Sequence, residues 1–215
     1  MSKLLRWGIF FSSLCFSVLC ADFLDSGNPM SRSAEESSDV ELMTKPLVIF
    51  EMDKGEVKLE LEREKAPITV ANFLEYVNDG FYDGTVFHRV IDSFMIQGGG
   101  FTKELEEKKT RPPIKNEADN GFKNRVGTIA MARTFNPNSA TAQFFINVND
   151  NDFLNYQEQG TPGYAVFGKV VEGLDVIMKI SKLETQMKHG FPNFPVDPVI
   201  IEKAYVVSSG EEVEK

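Results

Sequence analysis

The sequence predicts a mainly β fold, an antiparallel barrel or sandwich that carries two helices. Three observations predict it. Short alternating apolar segments recur between residues 46 and 207, only two stretches carry helical spacing, and the regular strand–helix–strand succession of a parallel sheet is missing. A chain of 215 residues with 42% hydrophobic and 11% aromatic content suits one domain with a sizeable core, and 18 Phe suggest a tightly filled β interior.

At the N-terminus, Lys3 and Arg6 precede an apolar run, Trp7 to Ala21, whose polar interruptions are three Ser. This is a basic segment followed by a hydrophobic one, shorter than the roughly 20 residues that span a bilayer, so residues 1–21 read as a cleaved secretory signal. Both cysteines, Cys15 and Cys20, fall inside it. Cleavage therefore leaves a chain with no thiol and no disulfide, and places the protein outside the cytoplasm, with the periplasm as the expected compartment. The alternatives are secretion and lipid anchoring through Cys20, although Ser17-Val18-Leu19-Cys20 is a poor lipobox because the residue before Cys should be small.

Residues 22–44 are acidic and Ser-rich with no hydrophobic period, a flexible leader. The folded unit is placed at 45–208, and 209–215 as an acidic solvated tail. Leu47 to Met52, the turn Asp53-Lys54-Gly55 and the strictly alternating Glu56 to Leu61 predict a β-hairpin. Pro67 opens a helix with Val70, Phe73, Leu74 and Val77 on one face and Gly80 at its end. Short strands and turns fill 81–151, interrupted by an exposed charged loop at 102–111 followed by Pro112-Pro113. Tyr164 to Val171 is a further strand, the segment from Gly173 to Ile180 a second helix, 185–198 with three Pro a loop, and Val199 to Val207 the last strand.

Two segments carry candidate chemistry: Phe87-His-Arg-Val-Ile-Asp-Ser-Phe-Met-Ile-Gln-Gly-Gly-Gly100, and Ala130-Met-Ala-Arg with Ala142-Gln-Phe-Phe-Ile-Asn147. If Phe94 to Gln97 is extended, Met95 and Gln97 share one face and Phe94 and Ile96 the other; the same period joins Gln143 to Phe145. Gln beside Met and Gln beside Phe suit an apolar pocket with a few amide groups for a backbone ligand.

These segments, together with Ala66-Pro67 to Phe81-Tyr82, Ile114-Lys-Asn-Glu-Ala118, Asn149 to Leu154 and Val166-Phe-Gly-Lys-Val170, resemble the cyclophilin family of peptidyl-prolyl cis-trans isomerases, in particular its short bacterial members. The resemblance runs from about Pro46 to about Val207. It implies a closed eight-stranded antiparallel β-barrel capped by two α-helices. It also implies catalysis of X-Pro isomerisation in unfolded or partly folded polypeptides, without a cofactor. By resemblance Arg89 and Gln97 are catalytic, with Arg89 contacting the prolyl carbonyl. By the same resemblance Phe94, Met95, Phe145 and Leu154 match the proline pocket, Gln97, Ala132 and Gln143 match positions that contact the substrate backbone, and Arg133, Phe153 and Tyr164 complete the substrate site. Phe153 stands where the best-known eukaryotic members have Trp, Tyr164 where they have His, and Arg133 where they have Asn. The lost indole donor puts binding of cyclosporin-type macrocycles in doubt.

Other chemistries fit poorly. His88 and His189 are the only histidines, so a His/Cys metal site is not expected. His88 reads as a buried structural residue or a support for Arg89. Gly98-Gly99-Gly100 lacks the Gly-Lys-Ser/Thr ending and the following helix of a phosphate cradle, and reads as close turns. The net charge is −9, and removing Lys3 and Arg6 with the signal leaves 21 basic against 32 acidic residues, a net −11. Nucleic acid is therefore not an expected partner; a monomer is. The competing reading is a non-catalytic module that captures Pro-containing segments or host partners on the same barrel.

Overall fold

The structure, a computed structural model, describes residues 45–207. The expected signal, leader and tail lie outside the described residues. The chain runs β1 (Leu47–Met52), β2 (Gly55–Leu61), α1 (Pro67–Asn78), β3 (Thr85–Val86), β4 (Arg89–Ile91), β5 (Met95–Gly98), β6 (Thr128–Met131), β7 (Phe144–Asn147), β8 (Val166–Glu172), α2 (Leu174–Ser181), β9 (Thr185–Lys188), β10 (Phe191–Pro195) and β11 (Ile200–Val206). The predicted hairpin is β1–β2, paired from Leu47↔Glu60 to Met52↔Gly55. Its alternation sends Val48, Phe50, Val57, Leu59 and Leu61 into the core.

Nine strands form one curled antiparallel sheet in the order β3-β11-β1-β2-β8-β6-β7-β5-β4. The expected closed eight-stranded barrel is corrected to this open sheet. Between β3 and β4 only Phe87 and His88 intervene, and these two strands are the sheet's ends rather than a ladder. The backbone groups that would close it are used elsewhere: Val86 N–H donates to the Phe101 carbonyl, Phe87 N–H to that of Val199, and Thr85 bridges Thr102. With every buried backbone group needing a partner, those local bonds satisfy the seam without a continuous strand pair.

The two predicted helices are present. Pro67 is the first residue of α1, and Val70, Phe73, Tyr76 and Val77 bury its inner face; Ile177 and Ile180 do the same for α2. Both reach one aromatic core in which Phe73 touches Phe50, Tyr82, Phe144 and Phe167 at ring separations of 5.0–6.2 Å. The segment at 102–113 is mostly exposed as expected, moored where the Arg111 N–H donates to the Tyr76 hydroxyl at 2.8 Å.

The expected loop at 185–198 is corrected to a β9–β10 hairpin. His189 and Gly190 both take positive φ (46° and 88°), the backbone of a tight hairpin turn, and Phe194 is fully buried. Pro192 and Pro195 were loop signals; they are tolerated because each strand of a two-stranded ribbon has an unpaired edge.

Glu117 holds the start of α1 from a distant loop. No side chain of the helix's own entry caps it, and the nearly buried Glu117 carboxylate instead accepts the N–H groups of Ile68 (3.1 Å) and Thr69 (2.8 Å) and the Thr69 hydroxyl (2.7 Å). It thereby satisfies orphan donors and places negative charge at the positive end of the helix. Glu117→Ala is expected to cost about 2 kcal/mol, lowering Tm by about 4–8 °C in a calorimetric scan. A loss under 1 °C would show that water caps the helix equally well.

Candidate active site

Strand register builds the site before any side chain is considered. Arg89 on β4 lies opposite Gln97 on β5, Gln97 opposite Phe145 on β7, Phe145 opposite Ala130 on β6, and Ala130 opposite Val166 on β8. Directly opposed residues share a face. The neighbouring row Val90, Ile96, Ile146 and Ile129 points the other way, into the main core. One sheet thus buries apolar side chains behind and presents Arg89, Gln97, Met95 and Phe145 in front.

The front face holds a second, smaller cluster of Met95, Ala130, Phe145, Leu154 and Val166, with Phe94, Phe122, Ala132 and Tyr164 partly buried against it. In it opens a pocket of about 120 Å³ lined by Arg89, Phe94, Met95, Gln97, Ala132, Arg133, Phe145, Leu154 and Tyr164. Nine of the eleven expected site residues therefore meet here. Gln143 stands one hydrogen bond behind, its Oε1 accepting Gln97 Nε2 at 3.0 Å. Phe153 stands one ring behind, 62% exposed and stacked on Phe94 at 5.6 Å, a rim rather than a wall.

One expectation about facing is corrected. Phe94 does not share the face of Ile96: β5 begins only at Met95, and Ser93, with φ 57°, turns the chain so that Phe94 lines the pocket while Ile96 enters the core. Strand alternation does not extend through a left-handed turn residue.

Arg89 Nη1 donates to Gln97 Oε1 at 3.4 Å, and its guanidinium carbon lies 5.9 Å from the Phe94 ring centre. Arg89, Gln97 and Gln143 so form a short line of hydrogen bonds along the edge of the pocket. The glycines after β5 make room for it: a Cβ on Gly100 would sit 2.6 Å from Gln143 Cγ, and one on Gly99 (φ 79°) 2.6 Å from the Phe144 ring. The close-turn reading of Gly98-Gly99-Gly100 is thus given a cause. On the opposite wall Tyr164 meets Phe145 edge-on at 5.6 Å, and Arg133 lies over Tyr164 at 4.3 Å.

Sequence reasoning missed the polar frame. Asn151 Nδ2 donates to the Phe94 carbonyl (2.9 Å) and to Asn147 Oδ1 (2.7 Å). Asn147 donates to Asn124 and Thr128, and Asn124 to Asn155 Oδ1. Four buried Asn thereby tie Phe94 to the short 3-10 turn Asp152–Leu154 that delivers Leu154. The density of Asn in Asn147-Val-Asn-Asp-Asn151 was the available signal.

His88 is 5% exposed, edge-on to Phe101 and Phe191, and its Nδ1 has no hydrogen-bond partner. Burial first, and the Arg89 charge second, lower its pKa to about 4 against a smaller opposing effect of a Val86 backbone hydrogen bond. It is neutral at pH 7 and packed between Phe101 and Phe191, which fits a structural residue. Among the described residues no cluster of His, Cys, Asp or Glu is placed to hold a metal ion.

The sequence profile described as Cyclophilin type peptidyl-prolyl cis-trans isomerase/CLD matches residues 47–206. The chain is 51% identical over 160 residues to peptidyl-prolyl cis-trans isomerase A of Dickeya dadantii, covering 74% of this chain and 84% of the relative. It is 56% identical over 156 residues to a peptidyl-prolyl cis-trans isomerase of Streptomyces antibioticus (71% and 93%), and 51% identical over 162 residues to peptidyl-prolyl cis-trans isomerase B of Escherichia coli (74% and 99%). Among solved structures, a cyclophilin type peptidyl-prolyl cis-trans isomerase of Cryptosporidium parvum superposes with a TM-score of 0.64 at 26% identity, covering 76% of this chain and 98% of that one. The same protein in the presence of the dipeptide Ala-Pro gives 0.63 at 26% identity, covering 75% and 99%.

The depressed His88 pKa fixes a sign. Below its ordinary value of 6.5 the unfolded chain takes up a proton that the folded chain refuses until about pH 4, so stability falls as pH falls through that window. Urea unfolding is expected to show a loss of about 1.4 kcal/mol between pH 7.5 and 5.5, largely abolished in His88→Gln. An equal loss in both proteins would assign the effect to other groups.

Proposed function

The chain belongs to the cyclophilin-type peptidyl-prolyl cis-trans isomerase family and is an enzyme of that type acting on proline-containing peptides, and we propose that it grips them in the pocket beside Arg89 and serves as a foldase for exported polypeptides. The obstacle to X-Pro rotation is amide resonance, a barrier of about 18–20 kcal/mol, and no covalent bond is made or broken. A site therefore needs only to bind the twisted amide better than the planar one. Lowering the barrier by about 7 kcal/mol would accelerate rotation roughly 10⁵-fold.

Each part has a candidate. Met95, Phe145 and Leu154 supply a dry floor for a saturated pyrrolidine ring, the Phe rigid and the Met adaptable. Arg89 supplies a permanent charge with donors in fixed directions, suited to hold the prolyl carbonyl and to stabilise the nitrogen lone pair that appears as conjugation is lost. Gln97 and, through it, Gln143 fix Arg89 and offer amide groups to the peptide backbone. The observation that carries the reading is the placing of Arg89: half-buried at the mouth of a ring-sized apolar pocket, with no carboxylate on it among the described residues. The Ala-Pro dipeptide in the related Cryptosporidium work is consistent with such a ligand. Weak binding of cyclosporin-type macrocycles goes with this proposal, because Phe153 offers a ring without a donor.

Arg89→Ala is expected to lower kcat/KM at least about 100-fold in a proline-limited refolding assay, while retaining peptide binding by titration. Unchanged turnover would remove Arg89 from the mechanism. Lost turnover with an intact biological role would favour the capture module instead.

The foldase role rests on residues 1–21, whose basic-then-apolar pattern supports export to a compartment where slow X-Pro isomerisation limits folding. Mass spectrometry of the protein from its native envelope should give an N-terminus close to residue 22. An intact Met1 would contradict export by cleavage, and a fatty-acylated Cys20 would favour the anchored form.

A further inference from the structure

We propose that Arg133 is a specificity-determining residue that favours X-Pro segments with an acidic side chain next to the proline; this rests on the pocket beside Arg89 being the substrate site. The pocket has two guanidiniums, Arg89 on one wall and Arg133 on the other, both partly buried. The chain carries 32 acidic against 23 basic residues, and two of the other three described arginines are each held by two carboxylates. Arg111 is paired with Glu75 and Asp79, and Arg125 with Asp150 and Asp152. Neither pocket arginine has a carboxylate in ion-pair range among the described residues. Their partners are uncharged: Gln97 for Arg89, and the carbonyls of Gly163 and Thr134 for Arg133.

Arg133 is also held ready. Its Nε donates to the Gly163 carbonyl at 2.9 Å and Nη1 to that of Thr134 at 2.8 Å, and its guanidinium carbon lies 4.3 Å from the centre of the Tyr164 ring. That uses two of five N–H donors and leaves three on a fork whose orientation is fixed. A carboxylate arriving with the substrate would find a charge already partly stripped of water and lose little side-chain entropy in pairing with it. The occupant is therefore a Glu or Asp of the client polypeptide itself. An isolated anion lacks the adjoining ring that the apolar floor between the two arginines is shaped to take.

Exchange NMR on blocked peptides Ala-Glu-Pro-Ala, Ala-Ala-Pro-Glu and their Lys counterparts tests this. In the wild type, kcat/KM for at least one Glu peptide should exceed that for its Lys counterpart roughly three-fold at low salt, shrinking toward unity at about 0.5 M salt. Arg133→Gln should remove that ratio, and Arg133→Lys, which keeps the charge but not the fork, should retain most of it. Equal rates for Glu and Lys peptides in the wild type would overturn the proposal, as would an Arg133→Gln variant that slows all peptides alike, the mark of a merely structural side chain. Unchanged turnover in Arg89→Ala would instead overturn the placing of the substrate, and this inference with it.

Discussion

Everything at the site depends on the register of one sheet. Arg89, Gln97, Phe145 and Ala130 form a row on the front face because Val90, Ile96, Ile146 and Ile129 form the adjoining row behind. A slip of one residue on β4 or β5 would exchange the rows and drive a guanidinium or an amide into hydrocarbon, at a cost comparable with the stability of a domain. The inner row is locked by aromatic packing: Phe144, beside Phe145 in sequence, stacks on Phe50 and meets Phe73, Tyr82 and Phe87 edge-on. Core packing and site geometry are in this sense the same constraint, read from opposite sides of β7.

An enzyme that performs no covalent chemistry has little beyond positioning and electrostatics to work with, so rigidity of the pocket walls matters directly. The buried asparagines provide it. Asn124, Asn147, Asn151 and Asn155 bond to one another and to the Phe94 carbonyl, and this fully satisfied polar layer joins the floor of the pocket to its rim. A similar economy governs α1, whose N-terminus is completed by Glu117. Glu117 belongs to the same stretch as Asn116, whose side-chain amide donates to the Pro162 carbonyl beside Gly163, which in turn accepts from Arg133. One loop thus stabilises a helix and supports a pocket wall.

What the sequence made legible was local. The β1–β2 hairpin, α1 and α2 announce themselves through periods of 2 and 3.6 and through Pro67 and Gly80, and the resemblance to cyclophilins carried nine residues into one pocket. What escaped depends on groups distant along the chain or on single backbone angles. The reach of Glu117 to Thr69 spans 48 residues and leaves no pattern. Phe94 looks like a strand residue until Ser93 adopts positive φ. β9 and β10 hide behind Pro192 and Pro195, which a central strand would reject but a two-stranded ribbon accepts. The open seam between β3 and β4 could not be foreseen either, because whether a barrel closes is decided by a few backbone hydrogen bonds such as Val86 to Phe101.

The central claim is that an apolar hollow with a guanidinium at its mouth receives the proline ring. Transferred and intermolecular NOEs to an Ala-Pro peptide test it most directly. The account predicts contacts from the proline ring protons to the Met95 methyl and to the Phe145 ring, with the Arg89 side-chain resonances shifting on titration. Contacts confined to another surface, such as the groove between α1 and Pro112-Pro113, would contradict it.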